Sequence, residues 1–303
     1  MIQTLKGDVE SQALGKTLLH EHVFNRFPIG YKEANNIYTL ELLQKCKKSG
    51  IDTIVDLTPY NNIGYYDEII EKSPLNIIGC IGFYLERYMS SEIRRMDYDK
   101  LLSNTTKKIE NGMGKKKYRP AIIKVACSGI GITDSEKKFL KVAAKVSSEY
   151  NMPIAVHSPE GVFGHYKYLV DYGANPQKIV MSHSEFNINE DNYEERIKEI
   201  NDVIKMGGYL LFSKFGTNYT GERAKRTFGF VFDIINQGNI EHLLISSDCN
   251  WKWKNGIPRL QNGKNTDYSY AMNYICPGLI NMGVNKDDLR IMLENNPQKI
   301  LEK

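Results

Sequence analysis

Four histidines, a lysine and an aspartate stand where such side chains are uncommon, inside or at the end of short apolar runs. His20 and His22 fall in residues 17–23, Lys124 in 121–127, His157 in 153–158, His183 in 178–184, and Asp248 closes 242–248. A spacing of two places His20 and His22 on one face of a strand. One interior histidine usually reads as a satisfied core residue. Four of them with an aspartate read as a metal-binding set, because imidazole is costly to bury alone and is a common ligand for zinc and its neighbours. Taken alone, Asp248 also fits a helix cap or a turn. Lys124 has two readings. Facing inward, it would be desolvated and largely neutral, and a neutral amine can take up carbon dioxide as a carbamate able to bridge two cations. Facing outward, it would run between helices with its ammonium in water. His165, in a helical segment, and His242, at the start of a run, read as structural.

Eight such runs, at residues 17–23, 52–58, 76–84, 121–127, 153–158, 178–184, 208–213 and 242–248, must carry these groups. Most are nearly continuous Val, Ile and Leu, the pattern of parallel strands covered on both faces. Helical periodicity fills the gaps. Phe139, Val142, Ala143 and Val146 share one helix face, with Asp134 or Ser135 as the expected N-cap. A second helix is expected from about Gly221 to Gln237, and a last one from Lys286 to Glu294, ending at Asn295-Asn296-Pro297. Eight β/α units without a compositional break predict an α/β fold, a single (β/α)8 TIM barrel domain over residues 1–303. Residues 1–16 are expected to form a short N-terminal hairpin or plug beneath it. An open doubly wound sheet usually has fewer strands and a glycine-rich first turn, which this chain lacks. The ligand candidates fall toward the C-terminal ends of their strands, where barrel enzymes keep their active sites.

Composition narrows the class. The apolar fraction of 41% is ordinary for a globular chain, and 40 Lys and Arg against 36 Asp and Glu leave only +4, too little to suggest nucleic-acid binding. Five scattered cysteines without a C-x-x-C pair argue against a disulfide framework or a thiolate zinc site. No apolar run is long enough to span a bilayer and no signal segment opens the sequence, so no membrane partner and a cytoplasmic setting are expected. Lys115-Lys116-Lys117 precedes the fourth run and is read as a solvated loop on the N-terminal face.

Across nearly its whole length, and in order, the sequence resembles the phosphotriesterase family of the amidohydrolase superfamily, which includes phosphotriesterase-like lactonases. The likeness is carried by Thr17-Leu18-Leu19-His20-Glu21-His22, Ile123-Lys124-Val125, Gly131-Ile132-Thr133 with Glu136, and Val156-His157-Ser158. It continues through Met181-Ser182-His183-Ser184 and Ile245-Ser246-Ser247-Asp248 to Asn296-Pro297 with Ile300-Leu301. The resemblance implies two divalent metal ions, one held by His20, His22 and Asp248 and the other by His157 and His183. It also implies N6-carboxylysine at Lys124 and a hydroxide between the ions, with Asp248 as the catalytic residue that takes its proton. Zinc suits these ligands; manganese, cobalt or iron would also.

The substrate is written in the loops. Tyr84, closing the third run, and Lys214-Phe215-Gly216, after the seventh, resemble lactonase positions, although arginine is commoner where Lys214 stands. The loop after the last run carries Trp251 and Trp253, which would line an acyl pocket or pack the loop on the barrel. Lys214, Arg223, Lys225, Arg226, Lys252, Lys254, Arg259 and Lys264 make this stretch basic, so a small anionic substrate is expected, with Tyr84, Lys214, Arg223 and Arg226 as its binding residues. Hydrolysis of a small lactone, such as a phosphorylated sugar lactone, leads. Organophosphate triester hydrolysis and hydrolysis of a small amide are the alternatives, and a homodimer is compatible with the fold.

Overall fold

The computed structural model describes residues 1–23, 36–59, 63–129, 131–216, 221–249, 251–254, 257–260 and 267–302. Eight parallel strands follow one another round a single sheet in chain order: β1 (Thr17–Glu21), β2 (Thr53–Asp56), β3 (Asn76–Gly82), β4 (Ile122–Ala126), β5 (Ile154–His157), β6 (Ile179–Ser182), β7 (Tyr209–Phe212) and β8 (Leu243–Ile245). Helices alternate with them, and the sheet curls until β8 faces β1. The TIM barrel expected from eight covered apolar runs is the fold.

Strand parity explains what fills the interior. Val55, Ile78, Cys80, Ile122, Ala155, Val180, Leu211 and Leu244 form one buried apolar cluster inside the sheet. Two residues further along their strands, the same faces present Lys124, His157, Ser182, Ser213 and Ser246. The interior is therefore greasy toward the N-terminal end and polar toward the C-terminal end. On β1 the parity breaks. Leu18 pairs with Ile54 but Glu21 with Asp56, so β1 carries one extra residue between them. This bulge lets both Leu19 and His20 reach the interior.

No backbone ladder joins β8 to β1 among the described residues; side chains make that seam. Ser246 Oγ accepts from His20 N at 3.1 Å and lies 3.0 Å from His20 O and 2.6 Å from Glu21 Oε1. Glu21 also accepts the backbone N–H groups of Ser247 at 2.7 Å and Cys249 at 2.8 Å. Burial pushes the Glu21 carboxyl up to about 8, against the pull of these donors.

The ends are sealed as the sequence suggested. Strands Ile2–Thr4 and Gly7–Val9 form an antiparallel hairpin, and Leu5 N donates to Ile77 O at the foot of β3 at 2.8 Å. Two helix boundaries differ from expectation. The helix Asp134–Tyr150 is capped by Thr133, not by Asp134 or Ser135, because Thr133 and Glu136 complete a reciprocal capping box. The last helix does not stop at Asn295. It continues through a π turn, Ile291–Asn295, which absorbs the missing N–H of Pro297, into Asn296–Leu301. Asn296, fully buried, donates to Ile240 O and Leu243 O, both at 2.8 Å, and pins this helix under β8. All five cysteines are buried, and among the described residues none forms a disulfide. Among the described residues no helix is long and apolar enough to cross a membrane.

Candidate metal centre

His20, Lys124, His157, His183 and Asp248 meet with His22 at the C-terminal end of the barrel. The His20 ring centroid lies 5.5 Å from that of His22 and 4.7 Å from that of His183, and His157 lies 4.6 Å from His183. Lys124 faces inward, fully buried, with Nζ 3.0 Å from His20 Nε2. Gly82 permits this close packing: its φ is +132°, and a Cβ there would fall 2.0 Å from the Lys124 carbonyl oxygen. His183 and Asp248 leave their strands with left-handed backbone, φ +71° and +46°, conformations that non-glycine residues hold only where the surroundings enforce them.

Asp248 divides its oxygens. Oδ1 lies 3.3 Å from His22 Nε2 and 3.7 Å from His20 Nε2, while Oδ2 forms a close ion pair with Lys214 Nζ. Burial pushes Asp248 up, but the opposing charge of Lys214 above all outweighs it and holds the carboxyl well below its ordinary range. His20, His157 and His183 are held well below the ordinary imidazole value, first by burial, and His22 is lowered for the same reason. Near neutral pH these rings are neutral, the state a metal requires. Burial also lowers Lys124 to about 7.

The hydrogen bonds behind the rings fix one tautomer. Thr58 Oγ1 donates to Asp56 Oδ1 at 2.8 Å, so at its 3.0 Å contact with His22 it must accept from Nδ1–H. The Nε2 lone pair of His22 then faces Asp248 Oδ1, another acceptor. Asp248 Oδ1 and His20 Nδ1 are both buried without a hydrogen-bond partner. Two acceptors 3.3 Å apart in a buried site require a cation or a proton between them, and burial disfavours the proton. Ligand atoms of His20, His22 and Asp248 all lie within 4.8 Å of one another. The donor set fits a divalent cation, with the outer hydroxyl partners that ligating histidines usually have.

Sequence reasoning missed several supporting residues. Ser213 Oγ sits 2.8 Å from His183 Nδ1. Glu185, fully buried, accepts from Ser213 N at 2.7 Å and closely from Lys214 N, and so sets both neighbours of the centre. A carboxylate directly after His183-Ser184 was the available signal. His165, read as structural, has its Nδ1 2.7 Å from Ser158 Oγ. His242 likewise bonds Gly208 O through Nδ1 at 3.0 Å.

Of the expected substrate residues, Tyr84 is half-buried with its ring 5.3 Å from that of His157, and burial raises its phenol. Lys214 reaches the centre, but as the partner of Asp248. Arg223 and Arg226 are exposed and line a groove of about 450 Å³ with Glu160, Asn187, Asn189 and Asn192, at the same end of the barrel. Arg223 Nη2 donates to Asn187 Oδ1 at 2.7 Å. Lys225 is solvated and paired with Glu222. The strands Trp251–Lys254 and Ile257–Leu260 form an antiparallel hairpin; Lys264 and the side chains of Trp251, Lys252, Trp253, Lys254 and Arg259 lie outside the described residues.

Residues 1–301 match the model of the phosphotriesterase family. The chain belongs to that family. This phosphotriesterase-family chain is 25% identical to an N-acetyltaurine hydrolase of Salmo salar, over 99% of its own length and 97% of that protein's. It is 23% identical to a phosphotriesterase homology protein of Mycobacterium tuberculosis, over 100% and 98%. A mutant PTE-like lactonase of Deinococcus radiodurans superposes with a TM-score of 0.86 at 22% identity, covering 99% of this chain and all of that one, a likeness of fold. Family membership and the hydrolase-named relatives make the chain a hydrolase.

Proposed function

We propose that this chain is a binuclear metal-dependent hydrolase, folded as one domain, that opens a small anionic lactone. The observation that carries the reading is the buried meeting of His22 Nε2 and Asp248 Oδ1, two acceptors that need a cation between them. His20, His22 and Asp248 would hold one ion, His157 and His183 the other, and carboxylated Lys124 would bridge them. Zinc is the leading candidate, with manganese, cobalt or iron as alternatives. Bound ions of this kind polarise an electrophilic oxygen and acidify water near neutral pH.

The protein's own groups do the rest. Asp248, kept ionised by Lys214, accepts the proton released as water adds to the carbonyl and passes it to the leaving oxygen. Tyr84, beside His157, borders the place where the acyl group must lie. Arg223 and Arg226 give a negative group two charge-assisted partners in the adjoining groove. Lys214 acts on Asp248 in this reading, so the arginine pair is the principal anion contact.

Hydrolysis of a small anionic amide is the second reading. It is favoured by the relatives named N-acetyltaurine hydrolase, since N-acetyltaurine is itself a small amide bearing a negative charge. A cytoplasmic setting and a homodimer remain part of the proposal.

One panel tests both readings: a sugar lactone with and without its phosphate, and an N-acyl amide with and without an anionic tail. We expect the phosphorylated lactone to be turned over best. Equal efficiency on charged and uncharged lactones removes the anion preference, and faster amide cleavage installs the second reading.

A further inference from the structure

We infer that the N-terminal face of the barrel carries a second anion site, shaped for a small phosphate or phosphomonoester, on the side opposite the metal mouth. The site is a cavity of about 500 Å³ between the N-terminal hairpin, the helix Asp67–Lys72 and the turn before β4. Lys6, Lys116, Lys117 and Arg119 line it, against one carboxylate, Glu71.

That carboxylate is already committed, because Lys116 forms a close ion pair with it. Among the described residues Lys6 Nζ donates to a neutral acceptor, Ser73 O, at 2.6 Å, and burial lowers its ammonium. Among the described residues neither Lys117 nor Arg119 has an acidic partner. The cavity thus keeps roughly three unneutralised cations around one hollow, where a dianion would be held by charge-assisted hydrogen bonds.

Two further features distinguish it from a solvated run of lysines. Gln3, a polar side chain only 7% exposed, also lines the cavity. The turn is also stiff. Met113 N donates to Tyr118 O at 2.7 Å and Tyr118 N to Met113 O at 2.9 Å, while Gly112 packs so closely that a Cβ would lie 2.3 Å from Lys117 O. Lys117 itself is held at φ +55°, a conformation uncommon for a lysine. Lys115, Lys116 and Lys117 are all exposed, as in a solvated loop, and the proposal adds a ligand role for the two that line the hollow, Lys116 and Lys117.

Calorimetric titration of the full chain with inorganic phosphate and with glycerol 3-phosphate, at constant ionic strength, tests the site without using activity. Arg119→Ala combined with Lys117→Gly removes two cations and relieves the left-handed lysine, so the fold is kept. We expect saturable binding by the parent protein and roughly tenfold or greater loss in this variant. Gln3→Ala should weaken binding by a smaller factor, and Arg223→Ala/Arg226→Ala, at the other end of the barrel, should leave it intact. Binding of glycerol 3-phosphate but not inorganic phosphate would still support the site and assign it to phosphomonoesters. Absence of binding of either probe, binding that survives the Lys117/Arg119 double change, or binding that vanishes with the Arg223/Arg226 change would each overturn it.

Discussion

Lys214 takes one oxygen of Asp248 and leaves the other to His20 and His22. The lysine comes from the end of β7 and the aspartate from the end of β8, so two neighbouring strands fix the carboxylate between the Lys214 side chain and a pair of imidazoles. This division gives the lysine a role in setting the proton affinity of Asp248.

Replacing Lys214 with methionine should therefore lower kcat by about tenfold to a hundredfold, in the range usual for a lost acid–base function. Lys214 holds Asp248 down, so its removal raises the carboxyl's pKa. The acidic limb of the kcat/KM profile must then move to higher pH. Lys214→Arg should restore most of the limb's position. A methionine variant whose limb stays in place would show that the lysine does not tune Asp248.

The β1–β8 seam should be fragile. Glu21→Ala removes the acceptor of two buried backbone N–H groups, and Ser246→Ala removes the hydroxyl that replaces a ladder bond. Each change is expected to cost about 1–3 kcal/mol, the range for stranding a buried polar group. Urea unfolding of the metal-free protein measures this, and a loss below about 0.5 kcal/mol would mean that the seam is held by something else.

Lys124 gives the metal-free fold a pH signature. Burial lowers it to about 7 from its ordinary 10.5 in the unfolded chain. Between those values the unfolded chain binds more protons than the fold. Stability from this group is therefore complete above 10.5 and is lost as pH falls toward 7. Lys124→Met should remove a slope on the order of 1 kcal/mol per pH unit across that window. Unfolding midpoints measured at pH 7 and pH 9, before and after the substitution, give the answer; parallel shifts in both proteins would contradict the inward, desolvated lysine.

Much of this is legible in the sequence alone. Eight covered apolar runs imply a barrel, and imidazoles placed within them have few reasons to be there except a shared ligand. What stayed illegible has physical causes. The extra residue in β1 turns Leu19 and His20 inward together, whereas simple alternation would separate them. Thr58, Ser213 and Ser246 are ordinary hydroxyl residues whose roles depend on contacts far apart in sequence. Lys214 stood in a basic loop and read as a substrate contact, and its ion pair with Asp248, from the next strand end, is not visible in the local sequence. The last helix passes Pro297 because a π turn spares it the backbone donor that proline lacks.

On the proposed reading, the arginine groove should separate substrates by charge. Arg226→Ala should lower kcat/KM for a phosphorylated lactone by roughly tenfold or more, and Arg223→Ala by less, because Arg223 is partly held by Asn187. Neither change should alter turnover of the uncharged lactone. Equal losses on both substrates would make the arginines structural.

The central claim is a pair of metal ions held by His20, His22, Lys124, His157, His183 and Asp248, and metal content measured together with turnover tests it most directly. Elemental analysis of the protein should find about two divalent ions per chain. Chelation should abolish lactone turnover and added zinc or manganese restore it, while Lys124→Ala should lose metal and activity together, with partial recovery in short carboxylates. Full turnover by metal-depleted protein, or a Lys124→Ala protein with complete metal content, would contradict the account.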